Sequence, residues 1–226
     1  MKTSDTRIRA RRTWDRPDPA TWTSLVGAAS SAVCDGQGRR GALDIGIRPL
    51  TGKTAFTGPA LTIECRAGDN AAALAALDWI APGDVIVVAN GGGTGAAIVG
   101  GHYAAMVSAR GAVAVVCDGP ARDLDELDEI GIPVFARGVT PAGPFKTGPG
   151  AIGFPVSVGS VAVASGDLLV GDRDGVVVVE RERIAAAVAG HDAVKAREID
   201  MEAASRSGRT PDWIRQLIDE IGVEIV

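Results

Sequence analysis

Residues 117 to 129, CDGPARDLDELDE, crowd one arginine, Arg122, among six acidic side chains, directly after the apolar run Ala112 to Val116. Two roles fit this stretch. Acidic residues at a helix start are favoured by its dipole, which leaves Asp123, Asp125, Glu126 and Asp128 as a solvated face with Arg122 in water. Alternatively, Arg122 and Asp123 stand just past the carboxyl end of a buried strand, the crevice where open α/β sheets bind ligands. A guanidinium beside a carboxylate can hold a charged ligand there.

A second strand-end loop belongs to the same crevice. Asn90 to Tyr103, NGGGTGAAIVGGHY, follows the apolar strand Asp84 to Ala89. Glycines let backbone N–H groups approach an anion, and a helix N-terminus favours negative charge. Gly91, Gly93 and Ala96 fit the spacing of a dinucleotide fingerprint, with Asp118 in the ribose position. That fingerprint normally heads its fold, whereas more than 80 residues precede it here. A site for a carboxylate or phosphate uses the same backbone groups without that requirement.

Strands and helices must present these loops. Asp18-Pro19 reads as the start of a helix to about Val33, Ala60 to Cys65 as a strand, and Asn70 to Ile80 as an alanine-rich helix closed by Pro82-Gly83. Strand 84–89, the glycine loop, a helix from about Ala96 to Arg110 and strand 112–117 form a βαβ unit with a right-handed crossover. A short helix from about Arg122 to Ile130 leads into strand 132–136. From Val156 to Glu180, short β-runs separated by Gly159-Ser160, Gly166-Asp167 and Asp172 to Gly175 read as a meander of hairpins. Asp172-x-Asp174-Gly175 resembles the start of a calcium loop, but Arg181 stands where the closing glutamate belongs, so a hairpin turn is expected. A long charged helix spans Arg181 to about Ser207, and Thr210-Pro211 opens a terminal helix containing Trp213. The whole reads as one α/β domain over residues 1–226. Residues 1–17 form an arm, mobile or in contact with another subunit, and 181–226 are helices suited to subunit packing.

Composition narrows the function classes. With 226 residues and 46% hydrophobic content the chain can bury a full core, and 30 glycines with 4% aromatics imply one packed from small side chains. A net charge of −5 gives no global field for nucleic acid. Three scattered cysteines form neither a disulfide framework nor a zinc spacing, which suits a reducing cytoplasm; Cys117 reads as a core residue. Two histidines exclude a multi-histidine metal site within one chain. No apolar run approaches the roughly 18 residues of a membrane span. The arginine-rich start, which also carries Asp5 and Asp15, has no apolar core and is no secretory signal.

GGGTGAAIVGG, CDGPARDLDE, IPVFARG and GDRDGVVVV together resemble the class II pyruvate aldolases of the 4-hydroxy-4-methyl-2-oxoglutarate aldolase group. That group shares its fold with the regulator of ribonuclease activity A. The resemblance spans about Val33 to Arg206, and its core is Arg122-Asp123-x-x-Glu126, with twenty residues between Gly101 and Arg122. It implies an RraA-like mixed β/β/α sandwich with a βαβ unit, a meander and a helical C-terminal arm, assembled as a trimer or dimer of trimers. It implies a metal-dependent lyase acting on a pyruvyl-containing keto acid, by retro-aldol cleavage or oxaloacetate decarboxylation through a pyruvate enolate.

By the same resemblance, backbone amides of Gly100, Gly101, His102 and Tyr103 would hold the substrate carboxylate and Arg122 the keto oxygen. Asp123 would anchor Mg²⁺ or Mn²⁺, Glu126 would orient a metal-bound water, and Glu198 from a neighbouring subunit would complete the site. Asp35 and Asp69-Asn70 match family positions without an assigned role. The chain departs from the group at Gly101, where an aspartate is expected; adjacent His102 can replace it as a base or simply pack at the helix start. The regulator branch lacks the aspartate of the Arg-Asp pair, so Asp123 argues for a metal. The alternatives are a non-catalytic regulatory protein and a nucleotide-binding enzyme.

Overall fold

The structure is a computed structural model and describes residues 7–224. From the N-terminus, β1 (Ile8–Ala10) leads through two short 3-10 turns to α1 (Ser30–Gly36), then β2 (Arg48–Pro49) and the long β3 (Phe56–Cys65). Next come α2 (Ala71–Ala75), β4 (Val85–Ala89), α3 (Gly101–Ala109), β5 (Ala114–Cys117), β6 (Pro120–Ala121) and α4 (Leu124–Ile130). β7 (Val134–Ala136), β8 (Gly138–Val139) and β9 (Gly150–Ile152) precede β10 (Val156–Val158), β11 (Val161–Val163), β12 (Leu168–Gly171) and β13 (Val176–Val179). Helices α5 (Ile184–Ser207) and α6 (Asp212–Ile221) end the chain.

Strands β3, β4, β5 and β7 pair in parallel, and β9 and β2 join them antiparallel, giving the order β1-β9-β3-β4-β5-β7-β2. Unbroken apolar runs belong in such strands because both faces are covered. Along β4, Val85, Val87 and Ala89 face one core while Ile86 and Val88 face the other. The second core is roofed by α2, α3 and α4, the first by the hairpins, so the layers are hairpins, sheet and helices. This is the expected mixed sandwich with its β4–α3–β5 unit.

Several boundaries differ from those the sequence suggests. The helix expected over Asp18 to Val33 is broken: Val26 is extended and Gly27 takes φ +74°, so only α1 is α-helical. The helix expected from Ala96 starts at Gly101, because residues 97–99 are tied to the β5–α4 corner. There Ile98 N–H donates to Pro120 O at 2.9 Å and Arg122 N–H to Val99 O at 3.0 Å. The meander is two separate hairpins: β10–β11 stands alone, and β12 pairs the first half of β3. The N-terminal arm is tied down over residues 7–17. β1 pairs with β9, and Arg16 grips the buried carboxylate of Asp84 at 2.7 and 2.8 Å while lying 4.9 Å over the Trp14 ring. Residues 1–6 of that arm, with Asp5, and the last two residues of the chain lie outside the described residues.

Two contacts fix the parts that flank the site. Helix α5 crosses α1 where Gly190 meets Gly36, backbone against backbone, and a β-carbon on either would overlap the other helix. Asp69 holds the segment before β9: its carboxylate accepts from Thr147 N at 2.5 Å, Thr147 Oγ1 at 2.8 Å and Gly148 N at 3.1 Å, and from Ala71 N at 2.8 Å. Burial pushes that carboxyl up, but the Thr147, Ala71 and Gly148 donors outweigh burial and hold it below its ordinary value.

Gly190→Ala is expected to destabilise the protein by about 1–3 kcal/mol, through overpacking of this crossing. An unchanged urea midpoint would show that the helices do not approach this closely. Asp69→Ala is expected to cost about 1–3 kcal/mol at neutral pH, because it orphans several donors. Asp69 is depressed in the folded state, so its stabilisation is present above the unfolded value of about 3.9 and fades as pH falls through the lower folded value. Urea titrations of both proteins should therefore differ at neutral pH and converge in acid.

Candidate functional site

The glycine loop after β4 is shaped by Asp118 rather than by a ligand. Asp118 Oδ1 accepts the Asn90 N–H at 2.6 Å and Oδ2 the Gly92 N–H at 3.1 Å, with Gly91 and Gly92 both at φ +68°. Burial raises the Asp118 carboxyl in spite of these bonds. The fingerprint's acidic residue is therefore spent on the loop itself, and no helix opens at Ala96 to receive a pyrophosphate. The dinucleotide reading loses both of its supports.

The N-terminus of α3 meets the β6–α4 corner more closely than side chains normally permit. Asp123 sits at φ +62°, ψ +47°, a left-handed conformation unusual for a residue with a side chain. An aspartate at this position ordinarily caps its own helix. Asp123 makes no such bond; Oδ2 instead accepts the Gly101 N–H of α3 at 3.1 Å, with Arg122 Nε 3.3 Å away. Glycines allow the approach. A β-carbon on Gly100 would fall 2.7 Å from Asp123 Oδ2, one on Gly143 would fall 2.8 Å from Arg122 Nη1, and one on Gly101 would overlap Glu126 Oε2.

This corner lines a pocket of about 230 Å³ that brings together Gly100, His102, Tyr103, Arg122 and Asp123. His102 is exposed, whereas the Tyr103 phenol points into the core beside Cys65 and Cys117, its hydroxyl unpartnered and its pKa pushed up by burial. What Tyr103 offers a ligand at the helix start is its N–H. Asn70 and Lys146 share the pocket. Asn70 donates to Ile98 O at 3.2 Å and leaves Oδ1 buried and without a partner among the described residues. Lys146 lies between Phe145 and the Thr147 clamped by Asp69. No local pattern marks it, since its place is set by the Asp69 contacts made from far along the chain.

Glu198 is elsewhere. It stands exposed on α5 in a separate hollow of about 360 Å³ with Asp35, Arg39 and Trp213, sharing no residue with the Arg122 pocket. Within one chain the structure does not bring it to Asp123. Among the described residues, no three His, Cys, Asp or Glu side chains converge as a metal cage. The donor set does fit a hard cation that keeps most of its water: Asp123 Oδ2 is engaged, while Oδ1 accepts no hydrogen bond among the described residues. The pocket thus offers two cationic side chains, the free N–H groups of an N-terminus and one carboxylate oxygen, a set suited to a small anion.

Comparison with known proteins bears on the same segment. The sequence model of the RraA-like family, described as Aldolase/RraA, matches residues 30–178. A Halalkalibacterium halodurans protein named "Putative 4-hydroxy-4-methyl-2-oxoglutarate aldolase" is 41% identical over 135 residues, 60% of this chain and 64% of its own length. The chain therefore spans less than two thirds of that relative. A Burkholderia mallei protein of the same name is 36% identical over 132 residues, 58% of this chain and 79% of its own. The solved structure of Streptomyces coelicolor RraAS2, an unusual member of the RNase ES inhibitor RraA family, superposes with a TM-score of 0.71 at 29% identity. That match covers 84% of this chain and all of that one. With its mixed sheet, its hairpin and helix layers and the Arg122–Asp123 corner inside the matched segment, the chain belongs to the RraA-like family.

Proposed function

We propose that the protein is a carbon–carbon lyase acting on a small keto acid that contains a pyruvyl group. The observation that carries this reading is the convergence of Arg122, Asp123 and the α3 N-terminus on one pocket. The Gly101 N–H is engaged by Asp123, so the N–H groups of His102 and Tyr103, free at the start of the helix, are left to hold the substrate carboxylate. Lys146 adds positive charge to that anion. Arg122 then faces the C2 oxygen. When the bond between C3 and C4 of a 4-hydroxy-2-oxo acid breaks, its electron pair moves into the C2–C3 bond and negative charge gathers on that oxygen, where the guanidinium stabilises it. Loss of CO₂ from oxaloacetate leads to the same enolate. Mg²⁺ or Mn²⁺ held through Asp123 would supply Lewis-acid stabilisation of the same charge.

Glu198 enters this reading only from a neighbouring copy, in a trimer or hexamer. The apolar face of α6, with Trp213, Leu217, Ile218 and Ile221 exposed and Trp213 lining the Glu198 hollow, supports such packing. Free thiols at Cys34, Cys65 and Cys117 support a cytoplasmic location, and no helix of the described residues is long and apolar enough to cross a membrane. The name of the Streptomyces neighbour favours a second reading, a binding protein that regulates a ribonuclease.

Purified protein with Mg²⁺ is expected to release pyruvate from oxaloacetate faster than Mg²⁺ alone, and EDTA should remove the difference. Arg122→Ala should lower kcat/KM by about 10²–10³-fold, as for loss of one oxyanion donor. Asp123→Asn should abolish metal dependence while its thermal melt stays near that of the parent. No pyruvate above the metal-only control would overturn the lyase reading in favour of the regulatory one.

A further inference from the structure

We propose that Glu126 is the proton carrier of this pocket, an inference that rests on the lyase reading. Gly101 supplies the first observation. It is the first residue of α3 and has no positive φ, so its backbone would accept any side chain, and glycine is a poor helix former. What a side chain there would displace is the Glu126 carboxylate. A β-carbon on Gly101 would overlap Glu126 Oε2 and come within 2.9 Å of the Glu126 Cβ and Cδ. The carboxylate therefore lies against the α-carbon of Gly101, whose neighbours Gly100 and His102 line the pocket although Gly101 and Glu126 themselves do not.

The second observation is how the charges around it are engaged. Asp123 and Glu126 both reach the first residue of α3. Asp123 is committed to the Gly101 N–H and to Arg122 Nε, whereas Glu126, in the first turn of α4, makes no hydrogen bond or ion pair among the described residues. Of the two carboxylates at the start of α3, one is fixed and one is free. The free one can take a proton without breaking a contact that shapes the site.

The step balances within the substrate. Glu126 takes the proton of the C4 hydroxyl, whose O–H pair becomes the new C=O bond as the C3–C4 bond breaks. The released pair forms the enolate of pyruvate. The carboxyl group then returns the same proton to C3, which becomes the pyruvate methyl, and Glu126 is a carboxylate again. Reversal of the last step alone exchanges the methyl protons of pyruvate with solvent.

The test compares wild type, Glu126→Gln, Glu126→Ala, His102→Asn and the double variant Gly101→Asp/Glu126→Ala, each with Mg²⁺. The readouts are cleavage of 4-hydroxy-4-methyl-2-oxoglutarate and deuterium incorporation into the pyruvate methyl followed by NMR. Both single variants should lose about 10²-fold or more in kcat and in exchange rate with KM little changed. The double variant, which returns a carboxylate to the same place from α3, should recover to within about tenfold of wild type. A role in shape alone predicts instead that the isosteric glutamine stays active and that the double variant does not recover. Wild type inactive both here and on oxaloacetate would overturn this inference together with the lyase reading, and wild type active on oxaloacetate alone would overturn this inference alone. An active wild type matched by both single variants would overturn this inference alone, as would exchange lost only in His102→Asn.

Discussion

The corner where α3 begins depends on one backbone conformation, Asp123 at φ +62°. Left-handed geometry costs a residue with a side chain on the order of 1–3 kcal/mol, with aspartate among the better tolerated. What the conformation achieves is direction. It turns the carboxylate away from its own helix and onto the first N–H of a neighbouring one, which brings Arg122 and the free end of α3 into one pocket. The Arg122–Asp123 pair does not offset that cost. Its side chains are 40% and 32% exposed, and exposed ion pairs are worth roughly 0–1 kcal/mol. A strained residue holding a weak, solvent-facing pair is poor use of stability and good use of placement.

The same economy recurs wherever a loop must be held around a core of small side chains. Asp69, Asp118, Asp167 and Asp172 each accept backbone N–H groups from a segment distant from their own helix or strand, or from the turn that follows it. Whether such a carboxyl is raised or lowered follows from the balance of burial and donors. Asp69 and Asp172 gather enough donors to overcome burial and are lowered, whereas Asp118 and Asp167 have fewer and are raised. Loops fixed in this way need few aromatic side chains, in keeping with an aromatic share of 4%.

What was legible in the sequence was whatever depends on local pattern. The apolar runs of β3, β4, β5 and β7 are strands because covering both faces of a sheet leaves no position polar. Arg122 and Asp123 stood out because strand ends in α/β sheets are where loops gather. Errors arose where a distant partner overrode the local pattern. Residues 97–99 resemble helix, but their hydrogen bonds to Pro120, Arg122 and Ala142 hold them out of one. Asp118 has the spacing of a ribose ligand, yet two loop N–H groups occupy it. Lys146 carries no motif at all, because its position is decided by Asp69, on the far side of the sheet's crossovers in sequence. Gly101 read as a missing acid, and only three dimensions show Glu126 occupying the space beside it.

That last relation bears on how one fold carries two kinds of name, aldolase and ribonuclease inhibitor. A shared sheet and shared layers cannot decide between them, because function resides in the site. The lyase reading gives a use to a strained aspartate that buttresses a helix start at a pocket. On that reading a bare glycine also lets a carboxylate lie against the same helix. Each feature weakens the local structure, one through φ and the other through helix propensity, and both converge on residue 101. On the proposed lyase reading, these two local costs meet at the start of α3, beside a pocket lined by the cations Arg122 and Lys146.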